Sequence, residues 1–583
     1  MEKLFSRIRN IKFPKKEEIN GALVSFSKKE WAIFSGLLFV LIFSTILMLE
    51  NINKSLMVEA PLHGGFLSIG IVGSPRFVNP IIPSSLTDQD MVSLIYSGLM
   101  RKNKDGSLSP DLAEKFETSK DGLTYTFTLR DDIYFHDKEP ITVDDVIFTI
   151  TKAKDPALKS IRKTDWDGVS VRKINDKTIE FVLRQPLAYF LEKTTIGIMP
   201  EHIWKDSPIE LNTANISPIG SGPYMIKSVS KESSGVVNSY ELVSFKKFVL
   251  GKPFIKDLSI HFYQNEDEQI AALENGEVDQ ISSITPINAD ILKERNFQIE
   301  SSVLPRIFGL FFNQNQNQLF TDKVVTRAIE KAIDKEKIIR EVLLGYGVAI
   351  DKPIPENIIP AQKTDEEIKT REEIIKEVEE NLSKNGWKKN EEGFLEKTIT
   401  DKNKKKSTIP LQFSISTGNV PDFIKTAEMI RQDLTKIGMK VDVKTFELGN
   451  LNQGVIGPRK YDALLFGQII NSESNLYAFW HSSQRKDPGS NISLYTNAKV
   501  DKILEESFTT LNKEDRIKKF IQFEEEIKKD MPAVFLYSPD FIYTVPKKLK
   551  GFAIENIISP SDRFSDVYLW YTETENIWKI FAK

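Results

Sequence analysis

One run of 19 residues without a charged side chain, Trp31–Leu49, limits what the amino-terminal part of this chain can fold into. At about 1.5 Å of rise per residue, a helix of that length spans roughly the 30 Å hydrocarbon core of a bilayer. A buried helix of a soluble protein normally keeps a polar face, so that alternative fits poorly. The run therefore predicts a transmembrane helix.

The charges on either side of the run predict its orientation. Residues 50–62 carry Lys54 as their only basic residue. The segment before the run carries Lys3, Arg7, Arg9, Lys12, Lys15, Lys16, Lys28 and Lys29. The positive-inside rule therefore places residues 1–30 in the cytoplasm, residues 31–49 in the membrane and everything after Glu50 outside.

A cleaved signal peptide is the alternative to a retained anchor. Its apolar region is normally about 7–15 residues long and is followed closely by a small-x-small cleavage site. The nearest candidate site, Val58-Glu59-Ala60, is followed by Pro61, before which cleavage is unfavourable. The length of the run favours an anchor in the cell membrane, with residues 50–62 as a short tether and a domain that begins at His63.

Composition indicates a large folded chain and excludes several functions. With 583 residues, 40% hydrophobic and 28% charged, the chain is long enough for several structural units. Its 79 Lys and Arg nearly cancel its 82 Asp and Glu, so no overall positive field would attract a nucleic acid. The chain has no cysteine, which excludes disulfides, thiolate metal sites, a cysteine nucleophile and a lipidated cysteine.

Local patterns predict a mixed α+β and α/β architecture after the anchor. Apolar and polar residues alternate over Leu123–Arg130, which is typical of a strand with one buried face. Residues 422–437 have helical spacing, Gly438 ends that helix, and residues 439–443 alternate as a strand. Residues 365–385 predict another helix, which ends at Asn385-Gly386.

Catalytic and metal-binding patterns are missing from the sequence. We find no G-x-S-x-G, H-E-x-x-H, phosphate-loop or dinucleotide-binding motif, and therefore predict neither an enzyme nor a bound cofactor. The histidines lack the close spacing of metal ligands; they are His63, His136, His202, His261 and His481. The acidic pair Asp144-Asp145 is better explained as a helix cap than as an acid–base pair.

A series of short motifs, in a fixed order, extends over about 520 residues. The most specific run begins at Leu108 and ends at Val146, and it contains Asp121-Gly122 and Phe135-His136-Asp137. The other motifs are His63–Leu67, Val78–Pro80, Leu94–Leu99, Gly220–Tyr224, Gly309–Asn313, Arg327–Asp334 and Asn381–Trp387. Together they resemble the family 5 extracellular solute-binding proteins, the peptide- and nickel-binding receptors of bacterial ABC importers. Lys138 and Val143 depart from the family pattern without affecting the fold.

The resemblance implies a two-lobed periplasmic-binding-protein-like fold, with an extra subdomain in lobe I and a ligand between the lobes. We expect lobe I to comprise residues 63–304 and the returning segment 540–583, and lobe II to comprise residues 305–539. Two short extended segments, Val303–Phe308 and Val534–Pro539, fit the crossings between the lobes. We expect the protein to be a monomer.

The same resemblance implies a ligand-binding loop in lobe II. Peptide receptors of the family carry "G-W-x-x-D" there, and the Asp pairs with the α-ammonium of the peptide. In this chain the loop reads Gly467, Gln468 and Asn471, so a neutral amide replaces the carboxylate. A neutral Asn cannot offset the charge of a buried ammonium, so another carboxylate is needed. Glu473 can supply it if the register of the loop shifts by two residues.

Six further residues are candidates for ligand contact. They are Val72, Gly73, Ser74, Asn79, Arg306 and Trp480. Four of them have a structural alternative: a turn at Gly73, a cap at Asn79, a surface ion pair at Arg306 and a place in the core for Trp480.

These features predict a membrane-anchored receptor that captures a peptide-like ligand outside the membrane and delivers it to ABC permease subunits. A tethered receptor or peptide holder without a permease is one alternative. A non-peptide ligand on the same fold, such as a nickel complex or an oligosaccharide, is another. The scattered histidines do not favour nickel.

Overall fold

The computed structural model describes residues 15–160, 162–356, 359, 369–400, 406–470, 472–554 and 557–581. The candidate residue Asn471 and the start of the helix expected at residue 365 lie outside the described residues. The chain divides into two compact units. One contains Met1–Leu62 and Glu573–Lys583, and the other contains His63–Thr572.

The helices follow the predicted helical patterns where those were clear. In chain order they are α1 (Lys16–Val24), α2 (Lys28–Leu56), α3 (Leu86–Ile95), α4 (Val143–Lys154), α5 (Phe190–Lys193), α6 (Glu201–Trp204), α7 (Glu266–Glu274), α8 (Pro286–Glu294), α9 (Lys323–Ala332), α10 (Lys335–Val342), α11 (Arg371–Lys384), α12 (Pro421–Lys436), α13 (Leu448–Asn450), α14 (Ser474–Trp480), α15 (Ala498–Thr509) and α16 (Lys513–Asp530).

The strands are concentrated in the larger unit. In chain order they are β1 (Met57–Pro61), β2 (Gly64–Val72), β3 (Met100–Lys102), β4 (Leu108–Pro110), β5 (Ala113–Thr118), β6 (Thr124–Leu129), β7 (Val169–Lys173), β8 (Thr178–Leu183), β9 (Tyr224–Lys231), β10 (Val237–Ser244), β11 (Ile255–Tyr263), β12 (Gln280–Ile281), β13 (Ile299–Val303), β14 (Arg306–Phe312), β15 (Gly347–Ala349), β16 (Lys388–Lys389), β17 (Leu395–Thr400), β18 (Lys406–Pro410), β19 (Gln412–Gly418), β20 (Lys440–Phe446), β21 (Ala463–Ile469), β22 (Ala533–Thr544) and β23 (Thr574–Trp578).

The smaller unit is built on one long apolar helix. Ser27 and Glu30 form a capping box at the start of α2, which satisfies main-chain N–H groups that the first turn leaves free. The helix contains the whole apolar run and has no buried residue. By length and composition it is able to cross a membrane, and a signal sequence near the amino terminus has the same features.

The predicted tether, residues 50–62, contains the last turns of α2 and strand β1. Strand β1 pairs with β23 in antiparallel register, with Met57 opposite Trp578. Beyond the paired strands, the N–H of Leu62 donates to the C=O of Glu573 at 3.0 Å. Residues 573–581 therefore belong with the helix, whereas we had expected residues 540–583 to return to lobe I as one segment. The domain boundaries otherwise stay a prediction.

Lobe I contains two main sheets over one continuous apolar core. The first has the strand order β12-β2-β11-β10-β9, and the second has the order β5-β6-β8-β7. Strand β6 confirms the predicted alternation, because Tyr125, Phe127 and Leu129 are buried and the threonines between them are partly exposed.

A seven-stranded sheet, most of whose strands lie in lobe II, has the strand order β13-β22-β14-β21-β19-β20, and β15 pairs with β22 as well. Strand β13 lies within the bounds expected for lobe I. The predicted helix and strand around Gly438 are confirmed as α12 and β20, and Gly438 takes a positive φ of 88° between them. One half of β22 pairs with β14 and the other half pairs with β13. Its far end also bridges Ser282 of lobe I through Tyr543. Strand β22 therefore crosses from one lobe to the other.

Candidate functional site

Part of one edge of strand β21 is free. Strand β21 pairs with β14 from Ala463, opposite Phe312, to Ile469, opposite Arg306. On the other side of β21, only Ala463 and Leu464 are paired with β19 within the described part of the chain. The last residues of β21 therefore extend beyond their neighbour.

The hydrogen-bond alternation shows which main-chain groups this leaves free. The N–H of Ile470 donates to the C=O of Pro305 at 2.8 Å. Because paired residues alternate in an antiparallel ladder, Gln468 also faces β14, whereas Gly467 and Ile469 direct their N–H and C=O away from it. Within the described part of the sheet, those groups have no ladder partner. The result is a short free strand edge, Gly467–Ile469.

Gly467 is required by close packing. A Cβ atom there would lie 2.8 Å from the ring of Phe308. Such a distance is well below ordinary carbon contact, so a side chain at this position would displace the ring. The glycine therefore lets the ring of Phe308 pack directly against the main chain of β21.

Arg306 lies at the end of β14, directly across from Ile469. Its side chain is half-buried, and burial lowers the pKa of the Arg306 guanidinium below its usual value, although arginine stays charged. Among the described residues, nothing forms an ion pair or a side-chain hydrogen bond with it. The free edge therefore ends beside an uncompensated positive charge.

A cavity of about 1060 Å³ is lined by residues of both lobes, among them Ser472, three residues after the end of β21. Both lobes contribute to its wall, and the segment that follows β21 forms the lobe II side. Its lining includes Tyr96, Asp111, Gln185, Tyr189 and Lys193 of lobe I, and Ser472, Ser474, Asn475, Ala478 and Phe508 of lobe II. A volume of this size accommodates a short peptide or another small solute.

The lobes touch at the rim of the cavity. The N–H of Ala188 donates to the C=O of Phe508 at 2.8 Å. The ring of Tyr189 packs edge-on against that of Phe508, with 5.2 Å between the ring centroids. This contact joins a loop of lobe I to the end of α15, so the cleft is narrow on this side.

Three buried polar atoms of residues in the cavity wall have no hydrogen-bond partner within the described part of the chain. They are the hydroxyl of Tyr96, the Nε atom of Arg101 and the Oδ1 atom of Asp111. Burial raises the pKa of Asp111 to about 7, although Ser97 and Arg101 favour its charged form. A buried polar group without a partner is costly, so these atoms are suited to accept or donate a bond to a ligand.

The candidate Glu473 already has a partner. Its carboxylate accepts hydrogen bonds from Arg516 at 2.8 and 3.4 Å, and both side chains are mostly buried. The guanidinium of Arg516 also donates to the C=O groups of Thr510 and Leu511. Arg516 therefore neutralises Glu473 without a ligand.

The lobe I candidates have partners within their own lobe. Gly73 has a φ of 98°, and its N–H donates to Tyr263. The hydroxyl of Ser74 donates to the C=O of Val237, and the C=O of Val72 accepts a long bond from Thr87. Asn79 is fully buried; its amide donates to Asn215 and accepts from the N–H of Ile81. These contacts are those of a turn and a buried loop.

Trp480 lies in the core of lobe II. It is 1% exposed, and its ring packs against Phe311, Tyr495, Phe523 and Phe535. Its size and apolar surface explain this position, which keeps it out of the cleft.

Some of the residues proposed from the sequence are chain neighbours of residues that line the cavity, but they do not line it themselves. Among the described candidates, none lines the cavity itself, whereas their neighbours Pro80, Ser472 and Ser474 do. Gln468 is buried beside the free edge, with its side-chain oxygen unpartnered. The sequence analysis missed Tyr96, although it falls in the Leu94–Leu99 motif, where a polar ring among apolar residues was the available signal.

No group of three or more His, Asp and Glu side chains is placed to hold a metal ion in the part of the chain that the structure describes.

The family model described as "Bacterial extracellular solute-binding proteins, family 5 Middle" matches residues 107–489. The chain is 27% identical to the oligopeptide-binding protein AppA of Bacillus subtilis over 502 residues, which are 84% of this chain and 89% of AppA. It is also 24% identical to the dipeptide-binding protein of Escherichia coli, over 83% of this chain and 91% of that protein.

Solved structures match the fold. NikZ of Campylobacter jejuni in complex with Ni(L-His) has 28% identity and a TM-score of 0.68, over 87% of this chain and 99% of NikZ. AppA of Bacillus subtilis in complex with a nonapeptide has 25% identity and a TM-score of 0.65, over 88% of this chain and 100% of AppA. These likenesses confirm the predicted periplasmic-binding-protein-like fold.

Proposed function

The chain belongs to family 5 of the bacterial extracellular solute-binding proteins, and on that premise we propose that it is a membrane-anchored receptor for peptide-like ligands. A solute-binding role follows from the family, which consists of substrate-binding proteins rather than enzymes. In the proposal, a peptide-like ligand binds between the lobes and is delivered to an ABC permease.

The free edge of β21 is the observation that carries the choice of ligand. Main-chain N–H and C=O groups at Gly467 and Ile469 can pair with an extended peptide, which would then continue the sheet. Main-chain pairing gives affinity without demanding a particular side chain. In the proposal, the cavity of about 1060 Å³, whose wall includes Ser472 just after β21, receives side chains of the ligand.

The charges near the edge favour an anionic group of the ligand over its amine. Arg306 is uncompensated among the described residues, whereas Glu473 is paired with Arg516. A carboxylate of the ligand would give Arg306 the partner that a desolvated charge requires. The proposal therefore places a ligand carboxylate, or a main-chain carbonyl, beside Arg306.

The anchor is the second part of the proposal. Helix α2 is long and apolar enough to cross a membrane, and the basic residues before it favour a cytoplasmic amino-terminal segment. A tethered receptor would keep the captured ligand close to a permease in the same membrane. Resistance of the protein to extraction from membranes at alkaline pH tests this part.

Calorimetric titration of the full chain in detergent tests the ligand. We expect tri- to pentapeptides to bind, and we expect the same peptides with N-methylated main-chain amides to bind much more weakly. N-methylation keeps the side chains but removes the N–H donors that a strand edge recognises. Equal binding of both peptide sets would contradict edge pairing.

The same titration separates peptides from the other ligands of this fold. The similar protein NikZ is described in complex with Ni(L-His). Heat with a nickel–histidine complex or an oligosaccharide, and none with any peptide, would replace the peptide proposal.

A further inference from the structure

The ribbon formed by β1 and β23 lacks a core of its own. In the described structure, no residue of either strand is buried. A two-stranded ribbon is marginally stable in water unless its apolar side chains pack against something. The segment around the end of β23 nevertheless exposes Trp578 by 46%, Ile580 by 77% and Phe581 by 69%.

The register of the ribbon places this apolar segment beside the end of the long helix. Met57, the first residue after α2, is opposite Trp578. Strand β1 leads away from the helix, so the antiparallel strand β23 runs back toward it. Residues Lys579–Phe581 continue as a short 3₁₀ turn.

The helix length sets the height of Trp578 above the hydrocarbon core. If the core ends at Leu49, the seven further residues of α2 rise about 10 Å at about 1.5 Å per residue. The polar layer of one leaflet is about 5–8 Å thick. The three residues after Trp578 cover about 6 Å in a 3₁₀ turn, so Phe581 reaches the polar layer if the chain keeps its direction.

We propose that Ile580 and Phe581 insert into the interfacial layer of the outer leaflet, with Trp578 at its water-facing boundary, and that they hold the ribbon against the lipid surface. The inference rests on the proposed membrane anchor. Continuity with the anchor helix identifies the bilayer as the occupant, since the ribbon starts where the helix leaves the membrane. The residue types fit this layer, because tryptophan is enriched there and Lys579 can extend its ammonium to lipid phosphates.

The absence of cysteine makes the test direct, because one introduced cysteine is the only labelling site. Full-length Phe581→Cys is labelled with an environment-sensitive nitrobenzoxadiazole dye and reconstituted in phosphatidylcholine–phosphatidylglycerol vesicles. The matched control is Glu575→Cys, an exposed position of strand β23 that lies about 10 Å farther from the helix than Trp578. Both substitutions are at exposed residues, so neither disturbs packing.

We expect the dye at residue 581 to emit at shorter wavelength than the dye at residue 575, and to be quenched several-fold less by aqueous iodide. Lipids that carry a quencher near the headgroup should quench the first dye and spare the second. Equal, water-like behaviour of both dyes would overturn the inference.

Alkaline extraction of the same vesicles tests the membrane anchor separately from the interfacial insertion. If the protein resists extraction while both dyes remain water-like, the anchor stands and the interfacial insertion is wrong. If the protein is released, the anchor proposal fails, and the insertion fails with it.

Discussion

Two arginines of the larger unit are both withdrawn from water but differ in their partners. Arg563 is buried, and its guanidinium donates to both carboxylate oxygens of Asp90, at 2.8 and 2.6 Å, and to the C=O of Pro560. It also lies 4.1 Å from the ring centre of Phe564. Arg306 is half-buried and has no such partner among the described residues.

The difference separates a charge that maintains the fold from one that is available to a ligand. The Asp90–Arg563 pair joins α3 to the segment around Pro560 inside lobe I, and both carboxylate oxygens of Asp90 accept from the guanidinium. Arg306 lies at the crossing between the lobes, beside a free strand edge. Five experiments challenge or refine this comparison.

Removal of Asp90 should have the largest effect. We expect Asp90→Ala to lower the free energy of unfolding by about 3–5 kcal/mol, because it leaves the buried guanidinium of Arg563 uncompensated. Urea denaturation followed by circular dichroism measures the loss. Asp176→Ala is the matched control, since Asp176 is 95% exposed in its ion pair with Lys173 and should change stability little. An equal change in the free energy of unfolding for Asp90→Ala and Asp176→Ala would contradict a structural role of Asp90.

Removal of Arg306 should affect binding rather than stability. We expect Arg306→Met to weaken a peptide-like ligand by about 2–5 kcal/mol, because the ligand would lose its charged partner. Arg306→Lys keeps the charge and should retain part of the affinity. Calorimetry measures binding, and the urea midpoint should stay near that of the parent protein. If Arg306→Met lowered the stability of the protein and left its ligand affinity unchanged, Arg306 would have a structural role like that of Arg563.

Glu473 decides between two roles. The sequence predicts that binding of peptides with a free amine depends on it, whereas the structure pairs it with Arg516. We expect Glu473→Gln to cost about 2–3 kcal/mol of stability, since a charged hydrogen-bond pair is lost. The double variant with Arg516→Met should recover part of that loss. A large loss of amine-dependent binding at unchanged stability would support the ligand role instead.

His136 should make lobe I sensitive to acid. Its imidazole accepts the N–H of Gly220 and contacts the C=O of Gly222, and burial lowers the pKa of His136 to about 4. The neutral ring is favoured in the folded state, so its contribution is fully present above pH 6.5 and is lost as the pH falls toward 4. The loss between pH 6.5 and 5 should be about 1.6 kcal/mol.

Comparison of unfolding curves at these two pH values, for the parent protein and His136→Gln, isolates this contribution. The variant should lose less stability on acidification than the parent. An equal loss of stability in the parent protein and in His136→Gln would show that other groups dominate the acid response.

Removal of the smaller unit should have the smallest effect. Both arginines and the cleft lie within His63–Thr572, which is compact by itself. A chain of residues 63–572 should therefore fold as a soluble monomer, with ligand affinity close to that of the full chain. Analytical ultracentrifugation and calorimetry test this. The longer chain 63–583 should also fold, although its β23 would lack β1. Aggregation of both would contradict the division.

Local patterns predicted much of the fold. The alternation in β6 and the helix, glycine and strand around Gly438 needed only neighbouring residues, and the order of motifs predicted the family. Pairings between distant residues could not be predicted in this way. Strand β23 meets a strand more than 500 residues earlier in the chain, and no periodicity in either strand indicates the other.

The candidate site was predicted less completely, for the same reason. Gly467 was proposed from the family loop and Arg306 from its place near an expected crossing between the lobes, but the free edge depends on where β19 stops pairing. Glu473 was proposed without its partner, because Arg516 is 43 residues away in the chain. Trp480 belongs to an aromatic cluster, and the sequence alone left its position in core or cleft open.

The ribbon of β1 and β23 has a consequence for how such a receptor can be built. The chain leaves it at Leu62 and re-enters it at Glu573, where one hydrogen bond of 3.0 Å joins the two points. In chain order, the whole larger unit, His63–Thr572, is thus inserted between the two strands of the ribbon. A different domain whose two termini lie close together could be inserted at the same position. The helix and the ribbon of β1 and β23 would then anchor that domain to the membrane instead.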